Sequence, residues 1–186
     1  MRSLQFPGWN IEIGEEEIEA DLFYPAAARS SRGQDQEGLP TEWARRTTVR
    51  WSDVDANGHA RHTAYSDFGT DARLAFLAEH GFPLGELHAL RLTPVALAER
   101  LTYRREVMLG EELSVSVAVA GLSGDASRAI VENRIRRADG ATAAVVQIDG
   151  AWLSLETRKL AAPPDELAQV MQAAPRTQAF EVLEAE

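Results

Sequence analysis

The chain has 186 residues, 45% hydrophobic and 26% charged, and contains no cysteine. This composition suits a single domain burying its own core, and it excludes disulfides, thiolate metal sites and a cysteine nucleophile. The net charge of −10 sits at the ends: residues 1–43 carry three arginines against nine acids, residues 161–186 carry one against five, and residues 44–160 are balanced. The neutral middle need not repel an anionic ligand, but nothing forms the basic face that nucleic acid requires, so no nucleic-acid partner is expected. No run approaches the roughly 18 to 20 apolar residues of a membrane span, and Met1 to Asn10 lacks a signal-peptide pattern. A soluble, cytoplasmic protein with no membrane partner is expected.

In chain order, residues 1–43 read as an acidic extension and linker. Ile11 and Ile13 alternate with polar neighbours, a pattern that fits a short strand or anchor and equally a disordered extension, while residues 26–42 are small and polar with no apolar period. Thr47, Val49 and Trp51 share one face of an extended segment, which predicts a strand over Arg45 to Trp51. After a turn-rich stretch, Tyr65, Phe68, Ala72, Ala75, Phe76 and Glu79 recur at spacings of three and four. They predict one long helix over about 63–80, closed by Gly81 as its cap with Pro83 beyond. Four strands are expected near 94–106, 112–120, 128–137 and 142–156, separated by Gly110, Gly121 with Gly124, and Asp139-Gly140. Pro163-Pro164-Asp165-Glu166 opens a terminal helix, and residues 166–186 read as C-terminal helix and tail. A strand, an apolar helix and four antiparallel strands make an α+β architecture in which a five-stranded sheet wraps the helix and covers its apolar stripe. Exposed sheet edges would favour pairing between subunits.

The densest chemistry lies before the helix, in Trp51-Ser-Asp53-Val-Asp55-Ala-Asn57-Gly58-His59-Ala-Arg-His62-Thr-Ala-Tyr65. Carboxylates, an amide and two imidazoles fall between a strand end and a helix N-terminus, whose unpaired N–H groups suit an anion or a polarised carbonyl. A carboxylate held there can attack that carbonyl or activate water towards it. The same residue types also favour plain turns and caps, which is the competing reading. Asp53-x-Asp55-x-Asn57-Gly58 matches the first half of a calcium loop, but the twelfth position is Ala64 where a bidentate Glu belongs, and a strand precedes it. No metal or cofactor is expected.

This run, followed by a long helix, resembles the hotdog-fold acyl-CoA thioesterases of the 4-hydroxybenzoyl-CoA thioesterase type. The resemblance covers about residues 44–165 and includes Leu101-Thr-Tyr-Arg-Arg-Glu106, which is similar to the family's second strand. It implies a hotdog fold, homodimeric or homotetrameric, that hydrolyses an acyl-CoA. Asp55 would be the catalytic carboxylate, as nucleophile or as general base. His62 falls where some members have a catalytic histidine and others use a backbone N–H. Asn57 and His59 match polar positions of acyl-carrier-protein thioesterases, which keeps that activity as an alternative. A non-catalytic acyl-thioester-binding hotdog protein is the other. Tyr65 opens the helix as a substrate-binding residue, Arg128, Arg158 and Lys159 are candidates for the coenzyme A phosphates, and Asp67, Asp71 and Glu79 are lesser candidates on the helix.

Overall fold

A computed structural model describes residues 4–6, 9–11 and 43–184. The chain divides into two compact units, Met1–Gln36 and Glu37–Glu186. In the first, β1 (Leu4–Phe6) pairs antiparallel with β2 (Trp9–Ile11), placing Phe6 opposite Trp9. The linker read at 26–42 and Ile13 lie outside the described residues.

The second unit runs β3 (Trp43–Thr48), α1 (Ala64–Glu79), α2 (Leu84–Ala89), β4 (Leu92–Tyr103), β5 (Glu112–Ser123), β6 (Arg128–Arg137), β7 (Thr142–Ser154), α3 (Asp165–Ala173) and β8 (Arg176–Leu183). Its sheet has six strands in the order β3-β5-β6-β7-β4, with β8 beside β5. Every pairing is antiparallel except β5 with β8. The sixth strand corrects the expectation of five strands and a C-terminal tail. β3 covers the outer edge of β5 only as far as Trp43 opposite Val117, and the next stretch is taken by β8, starting with Val119 N–H donating to Pro175 O at 2.7 Å. Unpaired strand groups need partners, and the returning chain supplies them.

The first strand of this sheet also ends earlier than its alternation suggests. Trp51 to Asp53 form a 3₁₀ turn and Trp51 is 79% exposed, so it does not share a buried face with Val49. Asp53 explains the break, because its Oδ2 accepts the Arg50 N–H at 2.8 Å and closes the turn.

Helix α1 buries Tyr65, Phe68, Gly69, Ala72, Phe76 and Leu77 and lies against β3, β5, β6 and β7. Most of the apolar stripe is therefore core, although Ala75 is half-buried and Glu79 is exposed, where it accepts Trp43 Nε1–H at 2.9 Å. The helix ends as its glycine requires. Gly81 sits at φ +92, Phe82 N–H reaches Leu77 O at 2.8 Å and Gly81 N–H reaches Ala78 O at 3.2 Å, which is the Schellman pattern.

Beneath α1 the β5–β6 ladder has a gap. Val115 pairs with Ile135 and Ala118 with Glu132, but the positions between are not paired through their backbones. Side chains fill the gap: Asn133 Nδ2 donates to Ser116 O at 2.9 Å, and Arg134 N–H donates to Ser116 Oγ at 3.2 Å. Arg73 Nη1 reaches down from α1 to Asn133 Oδ1. A polar seam thus crosses an otherwise apolar core from helix to sheet.

Candidate active site

The segment between β3 and α1 is built from nested turns. After the 3₁₀ turn, Val54 and Ala60 bridge across a tight loop. In it, Asp55 N–H donates to His59 O at 2.9 Å, Gly58 N–H to Asp55 O at 3.0 Å, and Asn57 N–H to Asp55 Oδ1 at 2.8 Å. Gly58 occupies φ +80, which the loop demands and a side chain would strain. The loop is pinned from behind by Ala60 N–H to Val107 O at 2.8 Å and by Arg61 N–H to Asp53 O at 2.7 Å. Asp55 is exposed, and its Oδ2 makes no hydrogen bond among the described residues. A held carboxylate with one oxygen open to solvent is the result.

The start of α1 has no side-chain cap. Thr63 is the N-cap residue, but its hydroxyl accepts Arg61 Nη1 instead of bonding the helix, and Arg61 Nη2 pairs with Asp67 at 2.9 Å. First-turn N–H groups of a helix lack internal partners, so this end keeps its partial positive charge. His62 is exposed, its carbonyl accepting Tyr103 Oη–H at 3.1 Å. The side chains of Asn57, His59 and His62 make no hydrogen bond among the described residues.

Tyr65 is buried, edge-on to Tyr103 with ring centroids 5.3 Å apart, and its hydroxyl donates to Arg105 O at 3.4 Å. Burial pushes its phenol above the usual 10. Tyr65 and Tyr103 together tie the start of α1 to the end of β4 and the loop after it. The other candidates are dispersed. Arg128 pairs with Asp149 at 3.0 Å across β6 and β7, while Arg158 and Lys159 are exposed in the turn after β7. Asp71 borders a shallow hollow with Arg45 and Pro83 on the other flank of α1.

A cavity of about 310 Å³ runs along α1 between the helix and the sheet. Its walls are largely apolar: Leu74, Phe76 and Leu77 of α1, Val117 and Val119 of β5, Val131 of β6, Ile148 and Trp152 of β7, and Met171 of α3. One side is polar, formed by Ser66, Thr70 and Arg73 of α1 and Glu99 of β4. Ser66 Oγ donates to Glu99, 2.7 and 2.9 Å from its two oxygens, and Arg73 Nη2 donates to Thr70 Oγ1 at 2.9 Å. The four residues were not singled out from sequence. Ser66, Thr70 and Arg73 do recur at i, i+4 and i+7, a polar row beside the apolar stripe. Nothing local marks Glu99. Asp55, Asn57, His59, His62 and Tyr65 are not among the cavity-lining residues. Among the described residues, no three of His, Asp and Glu are grouped to hold a metal ion.

The model of the thioesterase-like superfamily matches residues 49–171, which span the Asp55 loop, α1 and most of the sheet. The chain belongs to this superfamily. A comparison with curated proteins finds no match. Among solved structures, the chain is similar to the hypothetical protein SAV2348 from Staphylococcus aureus in complex with CoA, at 22% identity and TM-score 0.67 over 77% of this chain and 92% of that one. It is similar to Slr0204, a 1,4-dihydroxy-2-naphthoyl-CoA thioesterase from Synechocystis, at 16% and 0.64 over 70% and 96%. It is also similar to BH1999, a gentisyl-coenzyme A thioesterase, at 17% and 0.63 over 69% and 99%. These likenesses concern the fold.

Proposed function

We propose that this chain is a hotdog-fold thioesterase that hydrolyses an acyl-CoA to the free acid and coenzyme A, acting as a homodimer or homotetramer in the cytoplasm without metal or cofactor. The observation that carries the reading is the apolar cavity along α1, next to a helix start that no side chain caps and that directly follows the Asp55 turn. The acyl group fills the cavity, and the thioester carbonyl lies against the first-turn N–H groups of α1 between Ala64, whose own N–H goes to Arg61 O, and Asp67, and these stabilise the oxyanion. Asp55 then either attacks the carbonyl carbon or takes a proton from the water that does. In the first case the Asp55 O–C bond forms as the C–S bond breaks, and water then cleaves the resulting anhydride, giving the acid, restoring the carboxylate and leaving its proton for the thiolate; in the second the water O–C bond forms, the C–S bond breaks, and the leaving thiolate recovers the proton from the Asp55 carboxyl. A thioester is electrophilic enough for a placed carboxylate and a polarised oxygen to suffice. His62, Asn57 and His59 surround that centre as polar contacts to the substrate, and Arg158 and Lys159 serve the coenzyme A phosphates, with Arg128 held by Asp149.

What supports assembly is β4, which among the described residues pairs with β7 and with no other strand, with Leu97 49% exposed. An open strand edge is a template for a second strand, and a second copy provides it. The test is thiol release from a panel of acyl-CoAs by wild type and Asp55→Asn. Wild type should be active and the variant slower by about 10²-fold in kcat. Equal turnover by the variant would remove Asp55 from the mechanism. Release from acyl-carrier protein alone would move the substrate to that carrier, and inactivity on both would make the chain a binding protein.

A further inference from the structure

The polar side of the cavity holds a charge with unusual company. Arg73 is half-buried against apolar walls, and its two hydrogen bonds among the described residues go to neutral oxygens, Asn133 Oδ1 and Thr70 Oγ1. A guanidinium has five N–H donors, so three remain. No carboxylate among the described residues lies within ion-pair distance of it. Glu99, facing from β4 and accepting the Ser66 hydroxyl, is near enough to favour the charge without pairing with it. A charge in such surroundings is stabilised by any strong acceptor that reaches it.

The fork is also fixed in place. A Cβ at position 69 would stand 3.1 Å from both Arg73 Nη1 and Asn133 Oδ1, tighter than ordinary contact, so the bare backbone of Gly69 lets the guanidinium lie there without being displaced by a few tenths of an ångström. Seven residues separate Ser66 in the first turn of α1 from Arg73, which is about 10 Å along the helix. A thioester at the helix start therefore directs the far end of a medium-length acyl chain towards Arg73.

We propose that Arg73 is a specificity-determining residue that receives an oxygen acceptor, carboxylate or hydroxyl, at the distal end of the acyl group. The inference rests on the acyl-thioester reading of the cavity, so one arm of its test does without hydrolysis. In that test the full chain is assayed for kcat/KM with octanoyl-CoA, ω-hydroxyoctanoyl-CoA and suberoyl-CoA, as wild type, Arg73→Met and Thr70→Val. Calorimetry measures binding of octanoate, ω-hydroxyoctanoate and suberate to the same proteins.

Wild type prefers an oxygenated chain, the better of the two identifying carboxylate or hydroxyl. Arg73→Met lowers that preference at least ten-fold, and Thr70→Val lowers it by less. A loss shared equally by all three substrates would make Arg73 a helix anchor only and overturn the inference, as would a wild-type preference for the plain chain. If Arg73→Met fails to fold by circular dichroism, Thr70→Val decides, and an unchanged preference overturns the inference. If no thioester is cleaved, the acids decide: Arg73-dependent binding of suberate or the hydroxy acid keeps the acceptor site while the hydrolytic reading falls, and indifferent binding removes both.

Discussion

Replacing Asn133 by Leu tests the seam under α1. The site is 0% exposed, and its amide makes two bonds, accepting from Arg73 Nη1 and donating to Ser116 O at 2.9 Å. Leucine has the same number of side-chain heavy atoms and branches at the same carbon, but has neither function. The bond to Ser116 O contributes about 1 kcal/mol, and the charge-assisted bond from Arg73 about 2 kcal/mol. The Ser116 carbonyl has little to replace its partner, since it lies in the ladder gap and Asn133 was filling it. Extra apolar burial offsets little, because the new methyl groups must rest against a guanidinium. The expected loss is about 3 kcal/mol, which for a chain of this size lowers Tm by roughly 6 to 12 °C. Thermal melts and urea titrations of wild type, Asn133→Leu and Ser116→Ala measure it, and Ser116→Ala, which removes the bond from Arg134 N–H and the longer one to Arg134 O, should cost about 1 kcal/mol. An Asn133→Leu protein as stable as wild type would refute the claim that the seam holds helix to sheet.

Other outcomes follow from the same structure. Light scattering should give at least twice the chain mass of 20.4 kDa, and Leu97→Glu on the open edge of β4 should reduce it to a monomer; a monomeric wild type would refute the pairing. Deleting residues 1–40 should preserve the circular dichroism spectrum and the hydrolysis of a good substrate, and a folded truncation with most of its kcat/KM lost would instead make that segment part of the substrate site. The Asp125 carboxyl is held below its ordinary 3.8 by the Ser127 N–H, with the hydroxyls of Ser127 and Ser123 adding to it. A depressed carboxylate contributes stability that is present above the unfolded value and lost as pH falls through the folded one, so Asp125→Asn should flatten the stability curve below about pH 4. Parallel curves for the two proteins would contradict it.

What was legible in the sequence is what local chemistry decides. The stripe from Tyr65 to Phe76 has the helical period, and Gly81 can only be a cap, so α1 is visible within a residue at each end. The Asp55 turn is similarly local: Asp, Asn and Gly at this spacing close it through their own backbone. Trp51 misleads because its alternation with Val49 is real, yet three residues of turn chemistry around Asp53 outweigh it. β8 is hidden for a different reason. Arg176–Leu183 has weak alternation and a mostly exposed pattern, and it becomes a strand because β5 offers an unfilled edge there, which only the assembled sheet reveals. The cavity is of the same kind: Glu99 meets Ser66 across 33 positions and Asn133 meets Arg73 across 60.

The two halves of the site are therefore built on different terms. The Asp55 turn is made by its own residues and pinned by backbone bonds to Val107 and Asp53, with Asp55, Asn57 and His62 exposed, so changes to these three should alter rate while costing little stability. The polar side of the cavity has no such independence. Arg73 lies close over the bare backbone of Gly69, and it is held by Asn133, which also bridges the gap in the β5–β6 ladder. A substitution that alters what Arg73 presents to the acyl group thereby also loosens helix from sheet. Variants of this chain that change acyl preference should accordingly carry a stability loss or a second change at Thr70, Ser116 or Asn133, whereas variants that change turnover alone should not.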